Sequence, residues 1–157
     1  MTIHFICRGN VFRSLIAEAY LRSLNLDDLR VASSGTVAQR YWIENKPTFQ
    51  KTAALLQRHG IDRPPKLQPD QLTQKRLAQS DIVVCLNQIV LDEAREIVRL
   101  PADTIVWDVA DIGERSPVPT TPEDIAACRE LVYQEITRNV NALARQARSQ
   151  RSLGKQG

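Results

Sequence analysis

The residues best suited to chemistry lie near the start of the chain, in the segment Cys7–Ser14, which reads Cys-Arg-Gly-Asn-Val-Phe-Arg-Ser. A cysteine followed six residues later by an arginine is a weak pattern alone, because arginine is common in this chain. Here, however, Gly9 and Asn10 lie between them, and both residues accept positive φ angles. A loop of this kind can turn its backbone N–H groups inward and, before a helix, form an anion-binding nest. The segment therefore predicts a phosphate-like anion site beside a thiol.

Each polar residue of the segment has a role in such a site. Surrounding donors would stabilise the Cys7 thiolate as a nucleophile, and the Arg13 guanidinium can hold two phosphoryl oxygens in a fork. The Ser14 hydroxyl can donate to the sulfur, and the Asn10 side chain can hold the loop in shape. The alternative is that Cys7 is a small buried residue at a strand end. The residues expected to bind phosphate are Arg8, Gly9, Asn10, Val11, Phe12, Arg13 and Ser14.

The elements that position this segment follow from hydrophobic spacing. Strands are predicted at 2–7, 29–33, 81–86 and 104–107, and helices from Ser14, around 49–56, at 72–78, at 90–98 and from Pro122. Alternating strands and helices predict an α/β fold, a single three-layer domain with a four-stranded parallel sheet and helices on both faces. In such sheets ligands bind beyond the carboxyl ends of the strands. We expect the domain to span 1–147 and to be followed by a frayed polar basic tail, 148–157.

The segment Cys7–Ser14 resembles the phosphate-binding loop of the low-molecular-weight protein tyrosine phosphatases, whose pattern is Cys-x-Gly-Asn-x-x-Arg-Ser. The resemblance extends to Val31–Thr36, which is similar to the family's second strand and its serine-containing turn, so Ser33 is implied as a supporting residue. Trp42–Pro47 resembles the segment that carries an aromatic wall of the substrate cleft, which implies a supporting role for Trp42. The family implies hydrolysis of phosphotyrosine monoesters in proteins through a phosphocysteine intermediate.

The resemblance also implies a general acid, in a place where this chain departs from the family pattern. The family carries an Asp-Pro pair after the fourth strand, whereas here Asp111 is followed by Ile112. Asp111 is the predicted catalytic acid and Asp108 the alternative. Phe12 stands where many members have a second cysteine, so a protective disulfide with the nucleophile is not expected. Arg8 is larger and more charged than usual, which favours acidic peptides.

Composition limits the other function classes. The 157 residues suit one domain, and no apolar run reaches the roughly 18–20 residues of a membrane helix. Three cysteines without a Cys-x-x-Cys pair, and no evident secretory leader, favour a cytoplasmic location. The net charge is +3, but residues 129–157 carry +4, so the excess lies in the tail and not on a nucleic-acid-binding face. We expect a monomer that uses no metal or cofactor, acts on phosphotyrosine proteins or peptides, releases inorganic phosphate, and binds neither nucleic acid nor membrane.

Two other functions remain open from the sequence. One is arsenate reduction on the same fold, which requires further thiols near Cys7, whereas Cys85 and Cys128 fall at core positions of a strand and a helix. The other is a phosphate-binding module without efficient turnover, for which the missing Asp-Pro pair is the main support.

Overall fold

A four-stranded parallel sheet forms the centre of the computed structural model, which describes residues 1–157. The strands are β1 (Thr2–Cys7), β2 (Arg30–Gly35), β3 (Ile82–Cys85) and β4 (Ile105–Val106). The helices are α1 (Arg13–Ser23), α2 (Trp42–Arg58), α3 (Gln74–Leu77), α4 (Gln88–Ile97) and α5 (Pro122–Gly154), with a short 3-10 turn at Ile112–Glu114. The predicted fold class is confirmed.

The order of the strands in the sheet explains where the helices lie. That order is β2-β1-β3-β4, so the chain moves in one direction from β1 to β2 and in the other from β3 to β4. Because crossovers between parallel strands are right-handed, α1 and α4 cover opposite faces of the sheet. α5 packs beside α1, and β1, with both neighbours paired, is buried along almost its whole length.

The same order creates a crevice at the carboxyl ends of β1 and β3, where the direction of winding changes. The loop after β1 opens into this crevice. The loop after β4 reaches the same crevice. Its Val109 N–H donates a hydrogen bond at 2.9 Å to the carbonyl oxygen of Leu86, the residue that follows β3. Two loops about a hundred residues apart in sequence therefore meet at one edge of the sheet.

Two helix boundaries carry residues that favour the start or the end of a helix. Gly60, two residues beyond the end of α2, has a φ angle of 82°, the left-handed conformation that glycine adopts readily. At the start of α5, the Thr121 side chain accepts a hydrogen bond from the Asp124 N–H, and Pro122 is the first helical residue.

Two helices extend beyond the segments that the hydrophobic spacing indicated. α2 begins at Trp42 and continues through Pro47, so its start lies about two turns before Phe49, where the apolar spacing placed it. α5 continues to Gly154, so the helix includes residues 148–154 and follows directly from the buried Ala144 and Ala147, while fraying of the tail stays a prediction. None of the helices combines the length and apolar character needed to cross a bilayer.

Candidate active site

The loop Arg8–Phe12 leaves β1 and turns sharply before α1 begins. Asn10 makes this turn with a φ angle of 55°, a left-handed conformation that asparagine tolerates better than most residues. The end of β2 lies against the loop so closely that a Cβ atom on Gly35 would be 2.9 Å from the Asn10 nitrogen and would clash with the Arg8 carbonyl oxygen. Gly35 is therefore needed for the close approach by which β2 supports the loop.

The loop presents backbone donors that have no partner within the protein. The N–H groups of Arg8, Gly9, Val11 and Phe12 donate no hydrogen bond to any other group, whereas the Asn10 N–H donates to the sulfur of Cys7. α1 adds the positive end of its dipole, because its first residue follows the loop directly. These donors are suited to the oxygens of a tetrahedral anion.

Cys7 is the last residue of β1 and is almost completely buried. Its Sγ atom lies 2.8 Å from the Ser14 Oγ atom and 3.2 Å from the Asn10 nitrogen. Ser14 Oγ already accepts a hydrogen bond from the Asn10 side-chain amide at 2.7 Å, which leaves the serine proton free to point at the sulfur. Two hydrogen-bond donors, the Ser14 hydroxyl and the Asn10 N–H, thus converge on Sγ.

A second set of contacts fixes the orientation of the Asn10 side chain. Its Oδ1 atom accepts hydrogen bonds from the Asp70 backbone N–H at 2.9 Å and from Lys66 Nζ at 3.2 Å. Because both partners are obligatory donors, Oδ1 must face them, and Nδ2 must face Ser14 and Ser33, at 2.7 and 2.8 Å.

Ser33 and Lys66 connect this amide to two acids, the buried Glu18 and the partly exposed Asp70. Ser33 Oγ accepts from Asn10 Nδ2 and from Lys66 Nζ, and it donates to Glu18 Oε2 at 2.9 Å. Lys66 also lies 3.4 Å from Glu18 and 2.9 Å from Asp70. Glu18 is almost completely buried, so its charge is balanced by Lys66 and by hydrogen bonds.

Glu18, Lys66 and Asp70 were not identified from the sequence. Glu18 lies four residues after Ser14 on α1, and this helical spacing is a local signal that could have indicated it. Lys66 and Asp70 lie in a proline-rich loop without a motif, and only the fold brings that loop behind Asn10.

Arg13 is the first residue of α1, and its side chain is 2% exposed. Its Nη1 atom donates to the Val109 carbonyl oxygen at 2.9 Å, and its Nη2 atom lies 3.6 Å from Asp111 Oδ2 and 3.9 Å from Glu114 Oε1. The loop after β4 therefore fixes the direction of the Arg13 guanidinium, and the role of Arg13 in phosphate binding stays a prediction.

Asp111 lies at the start of the 3-10 turn and keeps 43% of its side chain exposed. A capping box fixes its backbone, because Asp111 Oδ1 accepts the Ile112 N–H at 2.9 Å and Glu114 Oε2 accepts the Asp111 N–H at 3.3 Å. Glu114 is held in turn by Asn87, whose Nδ2 atom donates to Oε2 at 2.8 Å. Asp111 lines the cleft between α2 and α5, whereas Asp108 is exposed and does not line it.

An open cleft lies between α2, α5 and the loop Arg8–Phe12, which we call the anion loop. Four parts of the chain line this cleft: the anion loop, α2 with the residues before it, the 3-10 turn with Asp111, and α5. The lining residues are Arg8, Gly9, Val11, Phe12, Val37, Tyr41, Asn45, Thr48, Asp111, Ile112, Ile125 and Arg129. The aromatic side chain of the α2 wall is that of Tyr41, whereas Trp42 does not line the cleft, and a supporting role for Trp42 stays a prediction. Trp42 and Phe49 share the other face of α2 and pack edge to face, with ring centroids 5.4 Å apart, against Val11 and Leu15.

Arg8 also lies in the cleft, and its charge is already paired. Its Nε atom is 2.6 Å from Glu93 Oε1 of α4, and the other oxygen of Glu93 accepts from Thr36 Oγ1 at 3.0 Å. Half of the Arg8 side chain is exposed, and it lies at the edge of the loop.

Burial shifts the pKa of two titratable side chains of the sheet, those of His4 and Cys85. Burial, reinforced by the positive charges of Lys66 and Arg76, lowers the pKa of His4 to about 4; the His4 Nε2 atom is hydrogen-bonded to Ser34, and Nδ1 has no partner. Burial raises the pKa of the Cys85 thiol to about 12. No group of three or more His, Cys, Asp or Glu side chains is arranged to hold a metal ion.

Comparison with known proteins agrees with this geometry. A family model described as low molecular weight phosphotyrosine protein phosphatase matches residues 2–152. The chain is 31% identical over 91 residues to the low molecular weight phosphotyrosine protein phosphatase of Sus scrofa, over 55% of this chain and 55% of that protein. The chain thus spans about half the length of the curated relatives it matches.

Solved structures share the fold along nearly the whole chain. Vibrio vulnificus Wzb, solved in complex with benzylphosphonate, has a TM-score of 0.71 at 22% identity, covering 92% of this chain and 97% of that one. A thioredoxin-dependent arsenate reductase from Corynebacterium glutamicum has a TM-score of 0.65 at 18% identity, covering 95% of this chain and 62% of that one. At these identities the likeness shows the fold alone.

Proposed function

Because this chain belongs to the low molecular weight phosphotyrosine protein phosphatase family, we propose that it hydrolyses phosphotyrosine monoesters in proteins through a phosphocysteine intermediate. The observation that carries the proposal is the 3.6 Å separation between Arg13 Nη2 and Asp111 Oδ2. This short distance means that the Asp111 carboxyl group lies beside Arg13, in the same cleft as the loop that follows Cys7. A phosphate-binding module has no use for such an acid.

In the first step, the Cys7 thiolate attacks phosphorus as the bond from phosphorus to the phenolic oxygen breaks. Asp111 gives its proton to that oxygen, so tyrosine leaves as the neutral phenol. Arg13 and the free loop amides stabilise the charge on the three equatorial oxygens.

In the second step, a water molecule attacks the phosphocysteine while Asp111 accepts its proton. The sulfur–phosphorus bond breaks, inorganic phosphate forms, and Cys7 returns to the thiolate. The hydrogen bond from Ser14, at 2.8 Å from Sγ, stabilises the departing thiolate and lowers the barrier of this step.

The partners and location of the enzyme form part of the proposal. We infer that it acts in the cytoplasm as a monomer on phosphotyrosine proteins or peptides, without a metal, cofactor, nucleic acid or membrane partner. Three unpaired cysteines support a reducing compartment. Arg13 and the loop amides supply the positive field that a metal ion supplies in other phosphoryl-transfer enzymes.

The test compares turnover of p-nitrophenyl phosphate and of a phosphotyrosine peptide. Cys7→Ser should abolish both activities, and Asp111→Asn should lower kcat on the peptide by about 10²- to 10⁴-fold. The loss should be smaller on p-nitrophenyl phosphate, whose leaving group needs less help from an acid. Asp108→Asn is the matched control and should keep kcat within about twofold, since a surface carboxylate outside the cleft has little influence.

Two results would contradict the proposal. Binding of inorganic phosphate with no turnover of either substrate would favour the binding module. Arsenate-dependent thiol oxidation without phosphatase activity would favour the reductase, although Cys85 is wholly buried in β3, Cys128 lies on α5, and Phe12 leaves no second thiol in the loop.

A further inference from the structure

Arg129 on α5 is a cation without a partner in the wall of the cleft. Its side chain lines the same cleft as Arg8 and Asp111, yet no carboxylate lies within ion-pairing distance of it. Its Nε atom is buried and has no hydrogen-bond partner. Burial lowers the pKa of Arg129, and the nearby Arg58 lowers it further. Arg115, by comparison, lies 2.7 Å from Glu135.

The acids around Arg129 are engaged elsewhere. Glu130, the next residue on α5, lies 3.7 Å from Arg58 and 2.7 Å from His59. Asp111 is directed at Arg13 and at the Ile112 N–H. The Arg129 guanidinium therefore has no anionic partner within the protein, and an anion that enters the cleft could pair with it.

The position of Arg129 determines which anion it can meet. Ile125 and Arg129, four residues apart, form the α5 wall of the cleft, and Tyr41, Asn45 and Thr48 form the α2 wall. The phosphate of a substrate is held deeper, by the loop and Arg13. A group at Arg129 must therefore belong to the part of the substrate that lies beyond the phosphorylated side chain.

We propose that Arg129 forms a second anion subsite, which binds the carboxylate of an aspartate or glutamate next to the phosphotyrosine of the substrate. The proposal rests on the proposed function and names its substrate class as acidic phosphotyrosine peptides. Arg8 strengthens the positive field of the cleft, but its pairing with Glu93 leaves Arg129 as the unpaired cation. Arg129 thus selects the sequence around the phosphotyrosine and takes no part in the chemical step.

The experiment measures kcat/KM for two phosphotyrosine peptides that differ only in having glutamates or alanines around the phosphotyrosine. The wild-type protein should prefer the acidic peptide, and Arg129→Gln should reduce this ratio by about three- to tenfold, mainly through KM. Arg129→Lys should restore part of the preference. Arg138→Gln, at an exposed residue of α5 outside the cleft, is the matched control and should keep the wild-type ratio.

A binding measurement makes the result independent of turnover. The Cys7→Ser protein, with and without Arg129→Gln, is titrated with the same two peptides, and the acidic peptide should lose its advantage in the double variant. If the ratio is the same with and without Arg129→Gln in both measurements, the subsite is disproved while the phosphatase activity stands. If the wild-type protein turns over neither peptide, the proposed function fails, and the titration alone then decides on the subsite.

Discussion

Asn10 joins the shape of the anion loop to the chemistry of the sulfur. Its φ angle of 55° makes the turn, its amide donates to Ser14, and Ser14 reaches the Cys7 sulfur. Its Oδ1 atom accepts from Lys66 and from the Asp70 N–H, which ties the loop to a segment about sixty residues away. One residue thus carries both a backbone requirement and a hydrogen-bond requirement.

Substitutions at Asn10 separate these two requirements. Asn10→Ala loses the hydrogen bonds and strains the left-handed turn, whereas Asn10→Gly loses the hydrogen bonds only. We expect kcat to fall by a similar factor of about 10 to 100 in both, because the Ser14 proton is no longer directed at the sulfur. The free energy of unfolding, measured in urea, should be about 1 kcal/mol lower in the alanine variant than in the glycine variant. Equal stability of the two variants would show that the turn is not strained by a side chain.

His4 links stability to pH, because it is buried and keeps one nitrogen without a partner. The unfolded chain binds a proton at His4 near pH 6.5, but the folded protein does so only near its pKa of about 4. The unfolded state therefore binds more protons between these values, and stability falls as pH falls from 6.5 to 4. The contribution is absent above pH 6.5.

The expected loss from His4 alone is about 3 kcal/mol across that window. His4→Gln should make the free energy of unfolding less dependent on pH by this amount, as measured by urea titrations at several pH values. Carboxylates titrate in both proteins and cancel in the difference. Parallel curves for the two proteins would mean that His4 is protonated equally in the folded and unfolded states.

At the scale of elements, the 3-10 turn Ile112–Glu114 shows how this chain fixes the backbone of Asp111 without the proline that the family pattern has at the next position. Ile112 lacks the fixed φ angle of proline, and the turn is held instead by the capping box of Asp111 and Glu114. Asn87, at the N-terminus of α4, adds the hydrogen bond to Glu114. The position of Asp111 thus depends on a helix end from another part of the sheet.

A double-mutant cycle tests this dependence. Glu114→Ala should lower kcat on a phosphotyrosine peptide by about tenfold, with a smaller effect on p-nitrophenyl phosphate, because the acid is less well placed. Asn87→Ser keeps a capping oxygen for α4 but is too short to hold Glu114, so it should show the same substrate-dependent pattern. The double variant should be no worse than Glu114→Ala. Additive losses would show that the two residues act separately.

Local patterns predicted the elements better than they predicted the walls of the cleft. The strand–loop–helix arrangement around Cys7 and Arg13 was visible because all its parts lie within eight residues. The apolar spacing predicted α2 only around residues 49–56, and so the sequence could not show that Tyr41 and Trp42 lie on different faces of one helix end. Lys66 reaches the loop only through the fold, and no spacing within one segment encodes that contact.

At the scale of the whole molecule, the strand order assembles the site. The hydrogen bond from Arg13 to the Val109 carbonyl oxygen joins residues that are 96 positions apart in the sequence. It exists because β1 and β3 are neighbours and because β4 continues the sheet on the same side. The parallel sheet therefore places Cys7, Arg13 and Asp111 at the carboxyl ends of its strands, while the excess positive charge lies in the tail.

The last prediction concerns the positive charge of the C-terminal residues 148–157. Residues 148–157 contain Arg148, Arg151 and Lys155 and no acid, so their removal takes away the whole formal net charge of +3. They are mostly exposed, and their ion pair, Arg151 with Asp28 at 3.6 Å, lies at the surface. A protein ending at Ala147 keeps the buried part of α5 and should lose less than about 1 kcal/mol of stability.

The same truncation should leave phosphate recognition intact. Exposed charges more than a Debye length from the loop are screened at about 0.15 M salt, so kcat/KM for p-nitrophenyl phosphate and inhibition by inorganic phosphate should stay within about twofold. Arg13→Lys is the opposite control: it retains the charge but loses the guanidinium fork, and it should lower kcat/KM by about 100-fold. If the truncated protein instead lost as much activity as Arg13→Lys, phosphate binding would depend on the charge of the whole molecule and not on the loop between β1 and α1.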